Sequence, residues 1–315
     1  MTKAEVVRMA VAVVSYQTRE VLEPCLESVA AARPVETVVV DNGSTDGSVE
    51  MVRARFPDVT LVQTERNLGY GGAANRAIAT CTAPVVLLLN SDTIVAPDAL
   101  QALDRTLAQH PAAAVIGPRL TDLEGALQPS TFSFPSARDL LIGETGLHLL
   151  LRRIPGVRNR FLRTWAHDAE RPVPWVIGAA LAIRRQPFEL VDGFDESFFM
   201  YWEEVDLCRR LGDAGFEVRF APVTTVQHVR SVSTRKQPDA MRRQWLVSFR
   251  TYLVKHESRR DVAQVLWLLR SIVRARVGRD AARLHWMSDD ERRQPLEASI
   301  AGWRGLLAER SLWRP

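Results

Sequence analysis

The stretch "APVVLLLNSDTIVAPDAL", residues 83–100, decides how the chain is read. Val85 to Leu89 form a short unbroken apolar run, the mark of a strand buried on both faces. The run stops at Asn90-Ser91-Asp92, and Pro97 opens a helical pattern, "PDALQALDRTLAQH". A carboxylate therefore stands at the tip of the most hydrophobic strand.

The same grammar repeats on either side. "VAVVSY" (11–16), "ETVVVD" (36–41), "VTLVQT" (59–64) and "AAVIGP" (113–118) read as strands. Between them, "REVLEPCLESVAA", "DGSVEMVRARF" and "GGAANRAIAT" carry apolar residues at helical spacing. Alternation of this kind predicts an α/β fold, a mostly parallel sheet flanked by helices. Ligands of such sheets bind at the carboxyl ends of the strands, where Asp41 and Asn90-Ser91-Asp92 both fall. From 119 to 174 the pattern weakens into a loop and short-helix insertion, with five arginines and no acid between Arg152 and Arg163. "PWVIGAALAIRR" (174–185) predicts a strand, "EEVDLCRRLGDAG" a helix ended by Gly215, and "FEVRFAP" and "TTVQHV" two further strands. Beyond them the chain reads as helical, with one stripe at Met241, Trp245, Phe249, Tyr252 and His256 and another at Val262, Leu266, Leu269 and Val273.

At 315 residues, 46% hydrophobic and 25% charged, the chain can bury a sizeable core. The expected organisation is an α/β domain over 1–236, with halves at 1–118 and 119–236, and a basic helical extension over 237–315. The net charge of +4 conceals an asymmetry: from His228 onward there are 19 Lys/Arg against 9 Asp/Glu. With five of the eight tryptophans beyond residue 240, that tail suggests peripheral contact with an anionic membrane face. No nucleic-acid partner is expected. Cys25, Cys81 and Cys208 are scattered without metal-ligand spacing and suit a reducing cytoplasm. The N-terminal apolar run reads as a first strand rather than a signal peptide, and no stretch reaches the ~20 apolar residues of a membrane span.

Several residues carry candidate chemistry. Asp41 lies inside a strand period, where an ionised side chain needs a partner such as a base N–H. Thr45 or Asp46 is placed to cap the helix that follows. Gly69-Tyr70-Gly71 with Ala74 mimics a dinucleotide fingerprint, but follows two complete β-α units instead of the first strand. Its glycines are better read as letting backbone approach a ligand, with Asn67 and Asn75 as polar contacts. In an extended segment Asn90 and Asp92 share one face. One carboxylate plus a substrate diphosphate is a typical cradle for Mg²⁺ or Mn²⁺. Glu203, Glu204 and Asp206 crowd one helix N-terminus behind the aromatic stretch "FDESFFMYW", where a raised carboxyl pKa would suit a general base. Electrostatic capping explains those acids too, as an Asx-turn explains Asn-Ser-Asp.

Taken in order, "VVSYQ", "VVVDNGSTDGS", "NLGYGGAAN", "LLLNSD", "WVIGAALAIRR", "GFDESFFMYWEEVDLCRRL" and the His228 segment resemble the family-2 glycosyltransferases of the GT-A fold. The likeness covers about residues 10 to 232 and is greatest to bacterial enzymes that transfer rhamnose and related sugars to glycan, lipid-linked or natural-product acceptors. It implies that Ser15 and Tyr16 flank the nucleotide base and that Asp41 accepts the uracil or thymine N3–H. Asn67, Gly69, Asn75 and Asn90 would line the donor cleft. Asp92 would hold the metal, with His228 approaching from the other side. Glu204 stands where the family has its base, although the usual Glu-Asp pair is Glu203-Glu204 here. Trp175, Glu203 and Asp206 fall on the acceptor side. The implied reaction is an inverting single displacement from a dTDP- or UDP-sugar. A sugar-nucleotide pyrophosphorylase, a dehydrogenase and a non-catalytic membrane scaffold are the rival readings. The first is disfavoured by the lack of a Gly-, Lys- and Arg-bearing triphosphate loop near the N-terminus.

Overall fold

The computed structural model describes residues 8–137, 165–229, 238–287 and 290–315. The arginine-rich 152–163 segment lies outside them. The chain divides into two compact units, residues 1–134 with 159–236 and residues 135–158 with 237–315, and each is described by itself.

The first unit begins with β1 (Met9–Ser15), α1 (Arg19–Ala32), β2 (Thr37–Asp41), α2 (Ser48–Arg55), β3 (Thr60–Gln63), α3 (Gly69–Thr80) and β4 (Val85–Asn90). These strands lie in the order β3-β2-β1-β4, all parallel. All seven residues of β1 are buried, so its alternate side chains feed two different cores. Ala10, Ala12 and Val14 face Ala73, Ala74, Ala77 and Ile78 of α3, where small residues on both sides let helix and sheet approach closely. Met9, Val11 and Val13 face Leu22, Leu26 and Val29 of α1. Val85–Leu89 of β4 are buried on both faces in the same way, as their apolar run requires.

The sheet then departs from the parallel expectation. After β5 (Thr93–Val95), α4 (Ala99–Gln109), β6 (Ala113–Thr121), β7 (Leu127–Gln128), β8 (Thr131–Phe132), β9 (Arg171–Pro172) and β10 (Trp175–Val176) comes β11 (Ala180–Arg184). β11 inserts between β4 and β6 and runs antiparallel to both. Residues 174–185 are thus not one strand. β10 pairs with β8 outside the main sheet, Ile177-Gly178-Ala179 turns the chain, and β11 follows. After α5 (Arg185–Leu190) and α6 (Glu203–Asp213), the two strands expected at the end are one, β12 (Glu217–His228), with a register shift between Phe220 and Thr225. Gly215 ends α6 as expected: at φ +88 it lets the Phe216 N–H reach back to Leu211 O.

The second unit contains α7 (Pro238–His256), α8 (Arg259–His285) and α9 (Asp290–Ala308), followed by a 3₁₀ turn at Arg310–Trp313. Val262, Leu266, Leu269 and Val273 of α8 are buried, as their spacing requires. Of the α7 stripe, Phe249 and Tyr252 are fully buried, whereas Met241, Trp245 and His256 are half-exposed. No helix among the described residues is long and apolar enough to cross a membrane.

Candidate active site

Parallel register sets the carboxyl edge of the sheet. Ser15 of β1 aligns with Asp41 of β2, and Val14 aligns with Asn90 of β4. Asp41 is 2% exposed; its Oδ1 accepts the Ser44 N–H at 2.9 Å, while the buried Oδ2 has no hydrogen-bond partner. The turn beyond is held by Asn42, a residue that sequence reading left among generic turn chemistry. Its amide donates to Asn67 Oδ1 and to Gly69 O, both at 3.0 Å, and accepts the Leu68 N–H at 2.9 Å. Asn67 Oδ1 also accepts the Gly69 N–H, so the Asn67 carbonyl is engaged in shaping the loop. Asp46 does not cap from the N-cap position, which Gly47 occupies; it accepts instead from Ser48 N–H and hydroxyl. Ser15 is buried, with its hydroxyl 3.1 Å from Thr18 Oγ1, which in turn is 2.8 Å from Ser91 Oγ. This hydroxyl chain ties the end of β1 to the turn after β4. Tyr16 is exposed.

At the tip of β4 the Asn90 N–H bonds to Ala179 O at 3.0 Å, and its buried Oδ1 has no partner. Asn90 and Asp92 do not share an extended face, because the strand ends at Asn90 and Ser91-Asp92 form a turn. Asp92 is positioned by β5 instead. That strand runs antiparallel to β12 and aligns Thr93 with His228, and the Val229 N–H bonds to Asp92 O. His228 Nε2 consequently lies 3.3 Å from Asp92 Oδ1, and its Nδ1 lies 3.2 Å from Gln128 Oε1. The two residues expected to hold a metal are therefore adjacent. A carboxylate and an imidazole suit Mn²⁺ or another borderline cation. Among the described residues no three His, Cys, Asp or Glu side chains converge. Other ligands would have to come from substrate oxygens and water, as an open metal site requires.

The acids lie at the start of α6. Tyr201 and Trp202 precede it at φ 68 and 72, a left-handed conformation that costs bulky side chains roughly 1–2 kcal/mol each. Glu203 is 6% exposed, and its Oε2 has no hydrogen-bond partner. Burial, reinforced by the charge of Glu204, pushes its carboxyl well above the ordinary range. Glu204 is partly exposed, but its Oε2 is buried and likewise without a partner. Burial raises its pKa too, against the pull of the backbone N–H groups of Glu204, Gly178, Val205 and Trp202. Asp206 instead grips Arg210 at 2.7 Å, and Arg210 also bonds to Val191 O and Gly193 O. That places Asp206 in the wall of the site.

The other expected residues divide between wall and cleft. Asn75 holds the loop before α6 by accepting the Phe194 N–H and donating to Phe194 O and Glu196 Oε1. Gly69, at φ +80, is required by protein rather than ligand: a Cβ there would lie 2.2 Å from Phe199 O. Trp175 packs on Phe132 with ring centroids 5.0 Å apart and donates to Ser133 O. Tyr70 stands in the sequence as part of the glycine motif; burial, reinforced by the charges of Glu203, Glu204 and Asp92, raises its pKa well above normal. Its hydroxyl donates to Gly178 O at 2.9 Å.

The sequence model described as "Glycosyl transferase family 2" matches residues 10–144. An N-acetylglucosaminyl-diphospho-decaprenol L-rhamnosyltransferase of Mycobacterium tuberculosis is 36% identical over 247 residues, covering 73% of this chain and 78% of that protein. Among solved structures, a mannosyltransferase of Pyrobaculum calidifontis in complex with GDP-Man and Mn²⁺ is similar with a TM-score of 0.55 at 18% identity, over 97% of this chain and 84% of its own. GalNAc-T7 with UDP, GalNAc and Mn²⁺ also gives 0.55, at 15% identity, over 73% of this chain but only 45% of that one.

Proposed function

Because the chain belongs to glycosyl transferase family 2, we propose that it moves L-rhamnose or a related deoxysugar from a dTDP- or UDP-sugar to a hydroxyl of a lipid-diphosphate-linked glycan. It is a nucleotide-sugar-dependent transferase of GT-A fold; the sugar, base, metal and acceptor are the proposal. The supporting observation is a set of buried oxygens without partners: Asp41 Oδ2 and Asn90 Oδ1 at the carboxyl ends of β2 and β4, and Glu203 Oε2 and Glu204 Oε2 at the start of α6. Each unmet buried polar atom costs about 1–3 kcal/mol, so these oxygens are arranged for a polar ligand that supplies donors.

In this reading Asp41 Oδ2 accepts the pyrimidine N3–H while Ser44 holds its other oxygen. Asp92 and His228 would bind a divalent cation, which supplies Lewis-acid neutralisation of the diphosphate. Glu204 takes the proton of the acceptor hydroxyl, whose oxygen attacks the anomeric carbon from the face opposite the leaving group, and the configuration inverts. Proton removal of this kind contributes roughly 10²- to 10⁴-fold in rate. Residues 1–236 would form the catalytic domain, donor side in 1–118 and acceptor side in 119–236. In the extension, Trp267 and Trp286 are 70% and 86% exposed, with Arg259, Arg260, Arg274 and Arg283 also exposed. Aromatic rings beside arginines suit an anionic bilayer surface, where a lipid-linked acceptor resides.

Thermal shifts with dTDP, UDP, GDP and NAD, each with and without Mn²⁺, test the reading. A ligand at 100 times its Kd adds about 2.7 kcal/mol of stability. Mn²⁺-dependent stabilisation by dTDP or UDP that disappears in Asp92→Ala is expected. Stabilisation by NAD alone, or by no pyrimidine nucleotide, would overturn it. Co-sedimentation with phosphatidylglycerol vesicles, reduced in Trp267→Ala/Arg274→Ala, tests the membrane contact; equal pelleting of the two proteins refutes it.

A further inference from the structure

Gly178 lies in the Ile177-Gly178-Ala179 connector between β10 and β11, and each of its three residues is tied to a different element. The Ile177 N–H bonds to Ser130 O at 2.9 Å, and Ala179 O accepts the Asn90 N–H at 3.0 Å. Gly178 O accepts the Tyr70 hydroxyl at 2.9 Å, while the Gly178 backbone is among the groups that lower the Glu204 pKa against the effect of burial. The Glu204 side chain runs along Gly178: a Cβ on this glycine would lie 3.5, 3.7 and 3.8 Å from Glu204 Cβ, Cγ and Cδ. Glycine alone has wide φ/ψ freedom, so the direction of its N–H is set by what holds the residue. Among the described residues the Tyr70 side chain bonds to it, and Tyr70 is itself anchored by its N–H to Phe199 O at 2.9 Å and by an edge-on ring contact with Phe194 at 6.2 Å.

We propose that Tyr70 is a positioning residue for Glu204: by holding the Gly178 carbonyl, its hydroxyl keeps the Gly178 N–H on the carboxylate and fixes the base relative to Asn90 and Asp92. The inference rests on Glu204 being the base. No proton passes through Tyr70. The groups facing Glu204 are Glu203 beside it and Cys208 one turn on along α6, Tyr70 from α3 and the Gly178 backbone from the connector, with Arg210 engaged by Asp206 on the same helix. Loss of an N–H that favours the carboxylate raises its pKa, so the rising limb of rate against pH must move upward when Tyr70 lets go.

Tyr70→Phe keeps the ring and removes only the oxygen. The expected result is a fivefold to fiftyfold fall in kcat at neutral pH, partly recovered at higher pH, with unchanged donor KM. A fall equal at every pH, or no fall, overturns the assignment. If Tyr70→Phe does not fold, p-aminophenylalanine at position 70 provides the second test. It keeps the ring and puts a weaker donor in the place of the hydroxyl that bonds to Gly178 O. The rising limb should then move upward by less than complete loss of the donor would give, and a limb that stays at the wild-type pH overturns the proposal. Glu204→Gln separates the two failures. Full activity in Glu204→Gln removes the base and with it this inference; an inactive Glu204→Gln beside an unshifted Tyr70→Phe profile removes the inference alone.

Discussion

Asp41→Asn isolates the part of the site that would choose the base. The Ser44 N–H holds Oδ1 at 2.9 Å, so an asparagine must keep its carbonyl there and turn its NH₂ to the place of Oδ2. A pyrimidine N3–H would then meet a donor where it had met an anion. A hydrogen bond to a charged group contributes about 1.5–3 kcal/mol net, and each 1.4 kcal/mol is a factor of ten. UDP and dTDP should therefore bind about tenfold to a hundredfold more weakly, toward the upper end because the new contact is repulsive. The folded protein should not suffer, since a buried anion with one oxygen unsatisfied is replaced by a neutral group of the same shape. Isothermal titration calorimetry with UDP and N3-methyl-UDP closes the cycle. Wild type should discriminate between them, and Asp41→Asn should not. If the variant binds UDP as wild type does, or still discriminates against the methylated base, Asp41 does not read N3.

Two further outcomes concern stability. Gly69→Ala must place a methyl group 2.2 Å from Phe199 O at φ +80; with the left-handed penalty of roughly 1–2 kcal/mol and overpacking of roughly 1–3 kcal/mol, urea unfolding should show a loss of about 2–5 kcal/mol, and a loss below about 0.5 kcal/mol would contradict the close approach. Glu203→Gln should change how stability depends on pH. The raised carboxyl of Glu203 makes the native state hold a proton that the unfolded chain releases. Its stabilisation is complete below the unfolded pKa, near 4.5, and is lost as pH rises through the folded pKa. The variant should gain on wild type in Tm between pH 5 and 8, and a difference independent of pH would show that Glu203 ionises normally.

What was legible in the chain follows from what burial does to a pattern. β1 and β4 are covered on both faces, so they appear as unbroken apolar runs, and the acids at their edge stand out against them. The antiparallel insertion of β11 left no such trace, because an apolar run has no direction. The break at Ile177-Gly178-Ala179 was hidden because every neighbour is apolar as well. Asp92 and His228 come together through the β5–β12 register, which no local spacing encodes; the family resemblance anticipated the pair where periodicity could not. Asn42 and Tyr70 were passed over for the opposite reason. Each sits in a segment whose local chemistry, a turn or a glycine motif, already seemed to account for it. Asn67 and Asn75 were polar residues in the right place, yet their amides hold backbone at Gly69 and Phe194.

The central claim is that Glu204 removes the acceptor proton. The most direct measurement is single-turnover release of dTDP from dTDP-rhamnose, with a short-chain N-acetylglucosaminyl-diphospho-polyprenol acceptor and Mn²⁺, for wild type and Glu204→Gln at saturating donor. The account predicts unchanged donor affinity and a rate lower by roughly 10²- to 10⁴-fold. A Glu204→Gln enzyme that turns over at the wild-type rate would contradict it.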